Sequence, residues 1–568
     1  MSTPRDKVLR VDLSSGQVSH ERIPAGWRSR YVGGKGLAAR YLIGELPPGT
    51  DPLSAANVLC LAIGPVTGLL PGEQRYAVIT KSPLSGAFLD AYAGGDVPGA
   101  IAGALPEHLM ILITGQADEP MSLTVADGSA TLSTSSRWGE STKTVCDGEA
   151  GPVACIGPAG ESQVAYATIA STPGAEHHAG RGGAGAVMGS KRLKSIVVEG
   201  SPPESLQELR ATYTERYRQS PTGRWLAASG TVESVEVANA TGVLAARGWS
   251  ERGTDAASEL GIAGVKRQAT GREHAPSAEA TGPGGFRVPT PDGESVPRGA
   301  TAMSLGAGLS LDSFEAAAEL GALCNGLGLD LISAGSAVAW AIRAAEENVI
   351  TPEAELAFGD PSGARRLLER IARRADPLAD RLADGVDAAT AAYGGESLIP
   401  TAKGMELPAY DPRGSASMAL AYATADRGGC HRRARPVERE PFEGPYGAER
   451  AAKEVALAQN TRSLRWSLVA DDFVGEILDA ETSRWLKAVG APTDGLDGVG
   501  ERIWNLVRLF NVREGFDRSD DSITGPIDPE RLSVPLERML DAYYERRGWT
   551  DNGVPTAATL ERLSLTEI

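Results

Sequence analysis

The feature that most constrains this chain is a change of hydrophobic period near residue 200. Before it, short apolar runs (Val58–Ile63, Tyr76–Thr80, Met110–Thr114, Ser122–Val125, Ser195–Glu199) alternate with glycine and proline turns. That is the pattern of strands separated by tight turns. After it, apolar residues fall three and four apart in Glu204–Arg218, Leu311–Ala322, Leu331–Glu347, Ala364–Ala383, Gly500–Phe510 and Leu536–Arg547, the spacing of one helical face. The expected class is α+β, with strands and helices segregated. A β-rich domain at 1–203 precedes two mainly helical domains at 204–400 and 401–568, divided at the turn-rich crossing Thr401–Gly414. Length agrees, because 568 residues exceed the ~250–300 at which a single core stops growing. Gly264–Pro297, dense in Gly, Pro, Ser and Thr, reads as a long loop.

Charge narrows the function classes. A formal net charge of −17 opposes binding to nucleic acid or anionic membranes. The 56 basic residues divide into ten lysines and 46 arginines. An acidic, lysine-poor, arginine-rich chain suits a salty cytoplasm, where surface repulsion is screened over roughly 3 Å at 1 M salt. A GC-rich mesophile with an acidic surface is the other reading. The opening MSTPRDKVLRVDL has no apolar leader, and Asn57–Leu70 is broken by Gly64, Pro65 and Gly68. The expectation is a soluble cytoplasmic chain with no membrane span. Five cysteines (Cys60, Cys146, Cys155, Cys324, Cys430) form no C-x-x-C pair. Neither a disulfide framework nor a local cysteine metal site is expected, and most should be small buried core residues.

Several segments can carry chemistry. Gly180-Arg-Gly-Gly-Ala-Gly185 puts flexible backbone beside a guanidinium, a combination suited to an anion. It contains G-x-G-x-x-G, but no strand–helix–strand unit surrounds it, so a dinucleotide fold is rejected; a tight turn between strands is the alternative. His177 and His178 fall short of a metal ligand set. Gly72-Glu-Gln-Arg75 leads into a strand, Gly94-Gly95 would allow close backbone approach, and Asp330 after Gly328 reads as a helix cap. Asp426-Arg-Gly-Gly-Cys-His431 ends in a histidine open to several roles.

Taken in order, these segments resemble the aldehyde:ferredoxin oxidoreductase family. The resemblance rests on Tyr31-Val-Gly-Gly-Lys-Gly-Leu37, Gly64-Pro-Val-Thr-Gly68, Lys81-Ser-Pro-Leu-Ser-Gly86, Ile156-Gly-Pro-Ala-Gly-Glu161 and Ala179–Lys191. It continues through Cys324-Asn-Gly-Leu-Gly-Leu-Asp330, Pro408–Arg413, Tyr422–His431, Gly500–Leu506, Phe510–Gly515 and Tyr543–Trp549. It implies an N-terminal domain that forms a base for two pterins holding tungsten, oxidation of aldehydes to carboxylates, and a [4Fe–4S] cluster passing electrons to ferredoxin. By motif, Arg75, Gly94, Gly95, Arg181, Gly182, Gly183, Leu329, Asp330 and Arg433 would surround the cofactor, and His431 would donate or accept a proton. Homodimers, or hetero-oligomers with a family member, are the implied assemblies.

The sequence departs from that pattern where the cluster belongs. The resemblance implies four cysteine ligands. The corresponding stretch here is Glu273-His-Ala-Pro-Ser-Ala-Glu-Ala-Thr281, and the fourth position is Ser467. The second pterin motif reads Arg462-Ser-Leu-Arg465-Trp466-Ser467, Asn325 replaces an Asp, Tyr92 an Asn, and about Ala300 a Glu. Arg465 is expected to clash with a cofactor. The cluster is therefore expected to be absent, and with it ferredoxin as a partner. Three readings stay open: a tungstopterin enzyme without a cluster, a non-catalytic scaffold or partner subunit, and a binder of another anionic ligand lined by Arg75, Arg181, Arg427, Arg433, Arg462 and Arg465.

Overall fold

In the computed structural model, which describes residues 5–70, 74–273, 285–352 and 355–568, the alternating runs of the first 200 residues form two six-stranded sheets. The first orders its strands β2 (Gln17–Arg22), β1 (Lys7–Asp12), β6 (His108–Thr114), β3 (Leu59–Ala62), β4 (Tyr76–Lys81) and β5 (Phe88–Ala93). The second runs β11 (His177–Ala179), β10 (Ile169–Ser171), β9 (Val153–Cys155), β12 (Leu193–Glu199), β7 (Met121–Ala126) and β8 (Ser129–Thr134). Each sheet has one parallel pair, β1 with β6 and β7 with β12, and is otherwise antiparallel.

Strand β3 shows why its sequence is apolar throughout. Leu59 and Leu61 enter a core shared by both sheets, with Val78, Ile111, Val125 and Ile196. Cys60 and Ala62 point the other way, into a core with Leu37, Trp466, Ile503 and Phe510. A strand covered on both faces needs no polar alternation. The helices that position the site are α1 (Gly34–Glu45), α2 (Phe314–Leu327), α3 (Leu331–Glu346), α4 (Ala448–Leu468), α5 (Leu496–Arg513) and α6 (Leu536–Arg547). Where α4 meets α5, a Cβ on Gly500 would overlap the Asn460 carbonyl, so the close approach requires glycine.

Two expectations change. Ala364–Ala383 is two helices, Pro361–Ala372 and Pro377–Ala383, because Asp376 caps the second and Pro377 starts it. Gly264–Pro297 is not structureless: its described part holds the end of helix Ile262–Gln268 and a three-stranded sheet, Gly271–Arg272, Phe286–Thr290 and Gly293–Ser295. Residues 274–281, expected to replace the cluster loop, and Gly72-Glu73 lie outside the described residues. All five cysteines are buried and free. Among the described residues no helix is long and apolar enough to cross a membrane.

Candidate functional site

The β-rich and helical parts enclose a cavity of about 660 Å³, within the size range of ligand sites. Its walls come from β5 (Tyr92), β11 (His177, His178), the Gly180–Arg181 turn, the π-helical turn beginning at Thr301, the α2–α3 junction (Asn325, Asp330), Tyr410, the segment from Arg427 to Glu438, and Trp466.

The glycine turn aims Arg181. Gly182 and Gly183 have φ of 90° and 86°, a left-handed backbone that glycine adopts without strain. A Cβ on Gly183 would overlap the Ala165 carbonyl. The two glycines are buried against protein and do not line the cavity, whereas Arg181, only 5% exposed, does. Its Nη2 donates to the Glu406 carbonyl, its Nε lies 3.6 Å from Asp330 Oδ2, and its buried Nη1 has no partner. At 3.6 Å the Asp330 contact is an ion pair and not a hydrogen bond.

Asp330 has two jobs. It caps α3 by accepting from Ser333 N at 2.9 Å, and it faces Arg181 across the cavity wall. Leu329 is fully buried in a bridge to Ala167 and only holds this junction in place. Gly94 and Gly95 do not reach the cavity. The close approach at Gly95 is to another strand end, since a Cβ there would overlap the Thr172 carbonyl.

His431 lines the cavity with its ring 5.4 Å from that of Tyr410. Its buried Nδ1 is unpartnered. Burial, and then Arg435, Arg432, Arg181 and Arg427, hold its pKa well below the usual imidazole value. A ring held neutral in this way resists taking up a proton and can serve as a hydrogen-bonding group.

The expected basic pocket is largely neutralised, and two of its members lie elsewhere. Arg75 pairs with Asp471 at 2.5 Å and Arg298 with Glu273 at 3.0 Å. Arg433 is 1% exposed, pairs with Asp90 and Asp426, and lies 4.6 Å over the Trp466 ring. Burial pushes it down to about 9. Arg465 does not face the cavity; it makes a two-pronged pair with Asp479 at 2.9 and 2.6 Å, so the expected clash is absent. Arg462 does not line the cavity. Arg427 donates to the Asp90 carbonyl and to Cys430 Sγ.

Sequence reasoning missed two groups. Lys35 on α1 is completely buried between Asp90 and Asp426; Asp426 is 391 positions away in sequence, and only the place of Lys35 in a glycine-rich motif marked it. On the opposite wall, His177 Nε2 lies 3.0 Å from Glu273, and Glu176 accepts from Val296 N at 3.0 Å. His178 is pinned between Thr168 and the Ala175 carbonyl, and burial pushes it down to about 4. Among the described residues, no group of three or more His, Cys, Asp or Glu is arranged to hold a metal ion.

The sequence matches the aldehyde ferredoxin oxidoreductase N-terminal domain over residues 8–200, and domains 2 and 3 of the same family over 208–565. The chain belongs to the aldehyde ferredoxin oxidoreductase family. It is 32% identical to the tungsten-containing aldehyde ferredoxin oxidoreductase of Pyrococcus furiosus, over 99% of each chain. The Thermococcus kodakarensis protein of the same description matches equally, at 32% over 99% of each. At 24% identity, over 99% of this chain and 97% of the relative, it is similar to an aliphatic sulfonate oxidoreductase, WOR-like subunit, of Pyrococcus furiosus. Among solved structures it shares the fold of the active-site complex BamBC of benzoyl coenzyme A reductase, with a TM-score of 0.83, 21% identity, and 99% and 97% of the two chains covered.

Against the family pattern, the cysteines do not form a ligand set for a cluster. Cys60 lies in β3, Cys324 in the helical core, and Cys146 and Cys155 in a small core of their own, 3.8 Å apart. At the expected fourth position, Ser467 accepts from Gly36 N and donates to the Ser463 carbonyl. Its hydroxyl ties α4 to α1.

Proposed function

We propose that the cavity holds a pterin-bound metal cofactor of the kind for which the tungsten-containing relatives are named, and that the chain interconverts an aldehyde and its carboxylate. Arg181 carries this reading. A guanidinium this buried, with an unmet N–H at a cavity wall, is costly unless a ligand supplies the acceptor. A scaffold without a ligand gains nothing from it.

The residues present fit such a group. Arg181 and Arg75 would meet its oxyanions, Asp330 would accept from ring N–H groups, and Tyr92 with Trp466, ring centroids 5.4 Å apart, would bound it on one side. When bound, the cofactor would supply the two-electron redox step. The chain's own work is to exclude bulk water and orient the carbonyl. His431, held neutral beside the cavity, is placed to hydrogen-bond the carbonyl or the adding water and orient it. Conversion of aldehyde plus water to carboxylate releases two electrons and three protons. The cysteines do not fit a [4Fe–4S] cluster, so the electrons leave to a separate acceptor or a partner subunit. The relative described as a WOR-like subunit supports a chain that works beside another.

The test is the metal and pterin content of protein purified without oxygen, read by mass spectrometry and by fluorescence after oxidation. Tungsten or molybdenum with pterin, both lost in Arg181→Gln, is the expected result; aldehyde assays with a dye acceptor follow. Neither metal nor pterin would overturn the reading.

A further inference from the structure

A second charged cluster lies beside His431 and is not used above. Asp472 is buried, and three guanidiniums surround it. Arg432 donates Nε and Nη2 to its Oδ2 at 2.8 and 2.6 Å, Arg435 Nη2 stands 3.9 Å away, and Arg462 acts on it electrostatically. Trp466 Nε1 occupies its other oxygen at 2.7 Å. Arg435 Nη1 also donates to Glu438 Oε1 at 3.0 Å, a carboxylate whose side chain is 54% exposed. Three cations thus face one buried anion and one largely solvated one, an excess of positive charge. The Nε atoms of Arg435 and Arg462 are buried without a hydrogen-bond partner, and among the described residues no ion pair or hydrogen bond engages Arg462. Arg432 and Arg435 line the cavity, and Arg435 lies 5.3 Å over the ring of Phe473, which fixes its plane.

Uncompensated buried charge is expensive, and guanidiniums with open N–H groups match oxyanions in shape and charge. We propose that Arg432, Arg435 and Arg462 form an anion subsite of the cavity. It takes the carboxylate or phosphate of a bound molecule: a second acidic group on the substrate, or a phosphate of the cofactor. Arg435 and Arg432 touch the anion; Arg462 adds a third positive charge nearby. This rests on the cavity being a ligand site and not on aldehyde chemistry.

The experiment is isothermal titration of the full-length protein with succinate, neutral butyramide and inorganic phosphate, for the wild type, Arg435→Gln and Arg462→Asp. Folding is checked by circular dichroism, and Arg435→Lys serves as the charge-keeping control. Compounds released on denaturation are identified alongside by mass spectrometry. Succinate binding at one per chain, absent for the neutral butyramide and weakened about tenfold or more in Arg435→Gln and Arg462→Asp, assigns the subsite to a substrate carboxylate. Phosphate binding with that dependence, or a phosphate compound that co-purifies with the wild type and is lost from both variants, assigns it to phosphate. Equal affinities in all three folded proteins overturn the proposal. So does the lack of any anion, added or co-purified. Binding is read without turnover, so absence of tungsten and pterin would sink the aldehyde reading alone.

Discussion

Two buried charge clusters flank the same segment, Asp426–Arg435, and they are built differently. In the first, Lys35 and Arg433 face Asp90 and Asp426, two cations against two anions, all at most 4% exposed at the side chain. Lys35 also lies within 5.0–5.6 Å of the rings of Trp466, Phe88 and Trp504. In the second, three arginines face buried Asp472 and largely solvated Glu438, and open N–H groups remain. A closed, balanced quartet holds elements together; an unbalanced one beside a cavity waits for a partner. The difference lies in charge balance and in access: the quartet is at most 4% exposed, whereas the Arg432 and Arg435 side chains are 26% and 14% exposed.

The comparison breaks most sharply at Lys35. Lys35→Met leaves Asp90 and Asp426 short of a cation and should cost ~3–5 kcal/mol, read as a fall in denaturation midpoint. A loss under ~1 kcal/mol would show that the quartet is not structural.

A pH titration sharpens it further. Burial, offset by Asp426, lowers Lys35 to about 8, against ~10.4 in an unfolded chain. Between those values the unfolded state binds the extra proton, so this group makes stability rise with pH across that window. The difference in unfolding free energy between wild type and Lys35→Met should change by ~1–3 kcal/mol from pH 8 to 10. A flat difference would refute the lowered value.

Arg462→Gln should act in the opposite direction. Removing one of three cations around Asp472 relieves repulsion, so stability without ligand should stay within ~1 kcal/mol or increase. A loss above ~2 kcal/mol would make Arg462 a structural partner and the cluster a second closed network. The smallest effect belongs to Arg465→Ala. Its pair with Asp479 lies near the surface and should contribute less than ~1 kcal/mol, with no change in pterin content.

The sequence made the fold class legible because period is a local property. The short apolar runs between turns and the 3.6-residue spacing reappear as strands and helices, and Leu536–Arg547 is found at its expected limits. Motifs also located Arg181, Asp330, Arg75 and His431 on one cavity. What stayed hidden depends on convergence. Lys35 meets Asp426 across 391 positions, and nothing local separates a glycine that admits a ligand from one, like Gly95, that admits a neighbouring carbonyl. Arg465 looked obstructive because its direction depends on Asp479, one helix later.

The scarcity of lysine has a practical consequence for anyone who probes assemblies of this chain. Of the ten lysines, Lys35, Lys81, Lys191 and Lys194 are buried, and the Lys403 side chain is 1% exposed. Lys266, Lys453 and Lys487 are the exposed ones, and all three lie on helices after residue 200. Amine-reactive labels and cross-linkers would therefore report on the helical half and leave both sheets nearly silent. Mapping a partner on the β-rich face calls for carboxylate chemistry instead, for which an acidic surface offers many handles.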